Sequence, residues 1–107
     1  MYKNISTKEI LDLKDLVEYQ SGQVISRTLV QNDKVSITVF SFDAGEEIGT
    51  HSAGGDAMLT VLEGTARITI DDEEFILHGG ETIVMPAGHP HSVTAITEFK
   101  MYLAVSF

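Results

Sequence analysis

Three of the four histidines in this 107-residue chain stand in two short stretches, His51 in the first and His89 and His91 in the second. Imidazole changes charge near neutral pH and is the commonest transition-metal ligand among side chains. The chemistry open to such a set is metal ligation, general acid–base work or hydrogen bonding to a bound molecule. There are no cysteines, which removes disulfide scaffolds, thiol nucleophiles and Cys-ligated zinc together. Any metal must be held by His or carboxylate.

The first stretch reads Gly45-Glu46-Glu47-Ile48-Gly49-Thr50-His51-Ser52-Ala53-Gly54-Gly55-Asp56-Ala57 and runs on to Glu63-Gly64. The second reads Gly80-Glu81-Thr82-Ile83-Val84-Met85-Pro86-Ala87-Gly88-His89-Pro90-His91. Here the sequence resembles the cupin superfamily, whose motifs are G-x5-H-x-H-x3,4-E-x6-G and G-x5-P-x-G-x2-H-x3-N. Gly45, His51 and Gly64 match the first, and Gly80, Pro86, Gly88 and His91 match the second. The likeness is to small single-domain bacterial cupins of the conserved-barrel, RmlC-like kind.

The resemblance implies an all-β fold, an antiparallel double-stranded β-helix or jelly roll. In the family, the first-motif His-x-His pair lies on one strand face, because residues two apart share a face. A Glu from the next strand and the second-motif His complete four inward ligands for iron, manganese, nickel, zinc or copper. This supports dioxygenases, isomerases and decarboxylases. The present chain departs from the pattern at Ala53, in the second His position, at Ala57, in the Glu position, and at Ala95, in the terminal Asn position. His51 and His91 are what remains of the four. Asp56 adjoins the Glu position, but an offset of one residue reverses the facing, so it is expected outward or in the turn. His89 would supply a third nitrogen if the Gly88–His91 turn folds it over the barrel mouth.

These residues need a frame, and the sequence supplies strands. From Val24 to Val30, and again over Val35–Phe42, apolar and polar residues alternate with a period of two across the turn-forming Gln31-Asn32-Asp33-Lys34. Further β-type runs occur at Ala57–Leu62, Thr65–Ile70, Glu74–Leu77, Thr82–Met85, Ser92–Ile96 and Phe99–Phe107. Breaks rich in Gly, Asp or Pro separate them. About eight short strands with tight turns indicate an antiparallel sandwich or barrel. Ser6–Val17 reads as a short helix capped by Ser6 or Thr7, or as an irregular arm. The expected organisation is one domain over 1–107, with an arm over 1–20 and the barrel over 22–107.

Each residue also has a plainer reading. His51 and His91 would serve equally as inward polar groups satisfied by a hydrogen bond or buried water. His89 and His78 would be surface residues at turns. Asp71-Asp72-Glu73-Glu74 lacks the spacing of a calcium loop and reads as a solvated turn.

The expected ligand pocket comprises His51, Ala53, Ala57, Leu59, His91 and Met101, lined for a small apolar or mixed organic molecule. No catalytic residue is assigned, and no cofactor is expected. The alternative is a divalent transition metal on His51, His91 and His89 in a dioxygenase- or isomerase-like enzyme. A metal-free isomerase or epimerase with His51 or His91 as general base is a further possibility. Sixteen acidic residues against seven basic ones, with no basic stripe, argue against nucleic acid. The start lacks a signal-peptide pattern and no apolar run approaches membrane-spanning length, so no membrane partner and a cytoplasmic location are expected. Apolar faces and open strand edges toward the N-terminal end predict a homodimer.

Overall fold

A computed structural model describes residues 1–51 and 54–107, with the side chains of residues 50 and 51 set aside. Among the described residues nine strands run in chain order: β1 (Val24–Gln31), β2 (Val35–Phe42), β3 (Glu47–His51), β4 (Asp56–Glu63), β5 (Thr65–Ile70), β6 (Glu73–His78), β7 (Thr82–Met85), β8 (His91–Ala95) and β9 (Phe99–Ser106). They form two sheets, one ordered β1-β2-β9-β4-β7 and the other β3-β8-β5-β6. All pairings are antiparallel. Among the described residues no helix is long and apolar enough to cross a membrane.

The two-residue period decides what lies between the sheets. Along β4, Ala57, Leu59 and Val61 are 2%, 0% and 0% exposed while Met58 is 47% exposed, so odd positions face inward. In β5 the inward set is Ala66, Ile68 and Ile70, and in β9 Phe99 and Met101. Phe42 and Phe99, opposite one another in β2 and β9, stack with ring centroids 4.5 Å apart. The Gly64 turn between β4 and β5 has φ +85°, and a Cβ there would overlap the Glu98 carbonyl and Phe99. This motif glycine is therefore required by close backbone approach.

Strand β3 does not appear among the runs read from sequence. Glu-Ile-Gly-Thr-His carries Ile48 as its one aliphatic residue of any size, so no alternation marks it. Its pairing with β8 provides the extended conformation instead, with Glu47 opposite Thr94 and Ile48 opposite Val93.

A second core lies on the outer face of the five-stranded sheet, where the arm lies across it. Val17, Leu29, Val30, Ile37 and Val39 are buried there, with Ile5 and Leu16 packed against them. The arm is irregular apart from one 3-10 turn, Leu13–Leu16, preceded by Asp12 without a side-chain cap. Neither Ser6 nor Thr7 caps a helix, because the segment follows the sheet and bonds to it. Lys100 Nζ donates to the Lys14 carbonyl at 2.7 Å, Ser41 Oγ to the Glu18 carbonyl at 2.7 Å, and Tyr19 Oη to Glu63 Oε2 at 2.7 Å. The Lys100 ammonium also sits 4.9 Å from the Tyr19 ring centroid, a cation–π contact. Burial, then the hydrogen bond to Glu63, pushes the Tyr19 phenol well above its ordinary range.

Candidate functional site

Between the sheets lies a cavity of about 100 Å³. Phe40 of β2, Met101 and Leu103 of β9, Leu59 of β4 and Met85 of β7 line it from the five-stranded sheet. Ile48 of β3 and His91 and Val93 of β8 close it from the other. Seven of these eight walls are apolar, so His91, only 4% exposed, is the polar group on the described lining.

Of the residues expected in a pocket, Leu59, His91 and Met101 meet at this cavity. Ala57 is buried in the same core but is not on the cavity wall. His51 ends β3 and stands opposite His91 in the strand register. Its side chain, and Ala53 entirely, lie outside the described residues. The expected pocket leaves out Phe40, Ile48 and Val93, and the sequence does not decide whether Met85 and Leu103 line the barrel or face outward. The period of two was the signal for most of them: Phe40 shares a face with Phe42, Val93 with His91, and Leu103 with Met101.

His91 Nδ1 lies 3.3 Å from the His89 carbonyl oxygen. A carbonyl only accepts, so Nδ1 carries the proton and, in the neutral ring, Nε2 carries the lone pair. The His89 ring itself is half exposed, with Nδ1 2.8 Å from Asp71 Oδ2. Asp56 is exposed and accepts the Ala87 N–H at 2.8 Å, bracing the turn before β8. His78 is exposed at the end of β6, 3.2 Å from Thr65 Oγ1. Ala95, in the motif's Asn position, is 2% exposed, and its N–H and C=O bond to Glu46 and Gly45. Among the described residues, no group of three His, Cys, Asp or Glu side chains is placed to hold a metal ion.

A larger groove of about 1050 Å³ runs between the arm and β1. It is open to solvent, with Glu9, Asp15, Glu18 and Arg27 along it. Enclosure favours the barrel cavity as the candidate site, since a small molecule gains affinity by burying most of its surface.

The Cupin_2 family, described as a cupin domain, matches residues 38–107. Among solved structures, a conserved protein of unknown function from Streptococcus pyogenes is 50% identical with a TM-score of 0.96, over 98% of this chain and 92% of that one. A cupin superfamily protein from Desulfitobacterium hafniense is 33% identical with a TM-score of 0.96, over 100% and 98%. A cupin 2 conserved barrel domain protein from Leptotrichia buccalis is 42% identical with a TM-score of 0.88, over 91% of this chain and 47% of that chain. Among curated proteins, none matches. A family match reaching from the middle of β2 to Phe107, joined to likeness over the whole chain, shows that this protein belongs to the cupin superfamily.

Proposed function

We propose that the protein binds a small, mainly apolar organic molecule inside its barrel, against His91. The observation that carries this reading is the cavity between the sheets, whose described walls are apolar except for His91, itself 4% exposed. At about 100 Å³ it is smaller than a 150 Å³ cavity that admits benzene, so the occupant has roughly four to six non-hydrogen atoms. Titration of isobutanol against methyl-labelled protein tests the reading, with Leu59, Met85, Met101 and Leu103 as reporters. Saturable shifts confined to those methyls are expected. A flat titration with isobutanol and with xenon gas would refute it.

The second reading is a metal-dependent cupin enzyme using His51, His91 and His89. The register pairing of His51 with His91 favours it. The His89 ring holds Asp71 through Nδ1, so its Nε2 is the nitrogen that would ligate. Metal analysis of untagged protein separates the two readings: stoichiometric iron, nickel, zinc or copper surviving dialysis promotes the enzyme.

A further inference from the structure

The eight described walls of the barrel cavity are not equally covered. Leu59, Met85, His91, Val93 and Met101 are each at most 4% exposed, whereas Phe40, Ile48 and Leu103 are only partly buried. Surface bared inside the cavity would be shared among all eight, so the excess at these three belongs to the outside of the molecule. The cavity therefore reaches solvent on their side. Strand order gives the reason. β3, which carries Ile48, is the last strand of its sheet, while β2, which carries Phe40, has β1 beyond it in the other. Opposite Phe40 on β1 stands Ser26, on the same face, small and exposed.

The Phe40 ring is also less anchored than the aromatic rings behind it. Phe42 and Phe99 are both 0% exposed and stack on one another, whereas Phe40 meets Phe42 at a centroid distance of 6.1 Å, tilted by 45°. Its backbone is paired on both sides, with Ser26 in β1 and Met101 in β9, so motion at this position is a change of side-chain rotamer. Ser26 has no bulk to block a swing of the ring away from the cavity. We propose that Phe40 is the entrance residue of the barrel site: with Ile48 it frames the opening, and its ring sets how wide a molecule passes and how fast. The inference rests on the reading of the cavity as a ligand site and adds the route by which a ligand reaches it.

Methyl line shapes recorded during an isobutanol titration give the association and dissociation rates as well as Kd. A residue at an entrance acts on the association rate, whereas one at a closed wall acts on dissociation. Phe40→Leu is expected to raise the association rate about ten-fold and Phe40→Trp to lower it about as much, the size of effect that a modest change in barrier carries. Ile48→Ala, at the other side of the opening, should raise it too. Val93→Ala, at a wall 3% exposed, should change the dissociation rate and leave association within about two-fold of native. Xenon, one atom wide, should show smaller rate changes than isobutanol in the Phe40 variants. Melting temperatures identify a variant that fails to fold, and the others at the opening keep the test. An association rate unchanged by Phe40→Leu, Phe40→Trp and Ile48→Ala would overturn the proposal, and so would an equal rise in Val93→Ala. Flat titrations with isobutanol and xenon overturn the barrel-ligand reading and the entrance with it, whereas saturable binding at an unaltered association rate overturns the entrance alone.

Discussion

Ala57 stands opposite Met85 where β4 pairs with β7, and the two side chains are 2% and 1% exposed. The position where the family carries a metal-ligating Glu is here closed by a methyl group against a thioether. Glu at this site would lose its hydration with no described cation to meet it. Ala57→Glu is therefore expected to destabilise the fold by about 1–3 kcal/mol. Adding Ala53→His should convert that loss into metal-dependent stability, because bound metal stabilises the folded state by mass action. Thermal melts with and without nickel or manganese check this. A double variant that melts at the same temperature in both conditions would show that Ala53 and Ala57 do not converge with His51 and His91.

Leu59 and Met101 reach the cavity from adjacent strands of one sheet. Truncating either to Ala should cost about 2–5 kcal/mol, the transfer term plus the added void. The same truncation should enlarge the cavity enough for benzene to enter. Urea denaturation reads the first effect and benzene-induced methyl shifts the second. Loss of stability without benzene uptake would mean that the neighbouring side chains collapse into the gap.

The Tyr19 phenol is held protonated in the folded state by burial and by Glu63, so its folded pKa lies above its ordinary value of 10. A raised folded pKa gives stability that is fully present below the unfolded value and is lost as pH rises beyond it. Stability should therefore fall from about pH 10 upward. Tyr19→Phe should flatten that fall and cost about 0.5–1.5 kcal/mol at neutral pH through the lost hydrogen bond. Tyr102, also raised by burial, contributes a residual slope in both proteins. Equal slopes above pH 10 would remove Tyr19 from the account.

Met58 and Val84 are register partners on the outer face of the five-stranded sheet, 47% and 51% exposed, beside the open edge of β7. The homodimer is expected from the N-terminal strands, whose outer face the arm packs against; Met58 and Val84 offer a different apolar patch for it, since adjacent apolar side chains on an open sheet face gain by burial. Light scattering on a sizing column should give about twice the 11.7 kDa chain mass. Met58→Glu should shift the protein toward the single-chain mass. A native protein eluting as a single chain at micromolar concentration would refute the dimer.

Alternation made most of the barrel legible in the sequence, because a strand buried on one face writes its orientation into every second residue. Leu59 and Val61, or Ile68 and Ile70, declare themselves in this way. β3 does not, since its conformation comes from pairing with Thr94 and Val93 and not from its own side chains. An irregular arm is one of the two readings of the first segment, but its docking is not legible: a lysine eighty-six positions away holds the Lys14 carbonyl, and nothing local to Lys14 reports that contact. At the site, motif spacing brought out His91 and the cavity position Leu59. The hydrogen bond from His91 to the His89 carbonyl depends on the turn's geometry, and the Asp71–His89 pair joins residues that sequence reading had left on separate turns.

The strand order carries a consequence for how the chain is made. β9, ninth in chain order, occupies the middle of its sheet, between β2 and β4. Until Phe99–Ser106 has been synthesised and released from the ribosome, β2 and β4 each present an unpaired edge, and Val39 and Leu59 have no β9 beside them. Open edges with apolar faces are the surfaces on which nascent chains aggregate. Closure must wait for contacts between distant parts of the chain, which slows folding and makes it cooperative. The five-stranded sheet thus stays open until β9 is available to pair with both neighbours, and a ribosome that stalls within the β9 codons leaves a chain exposed along both edges of the gap.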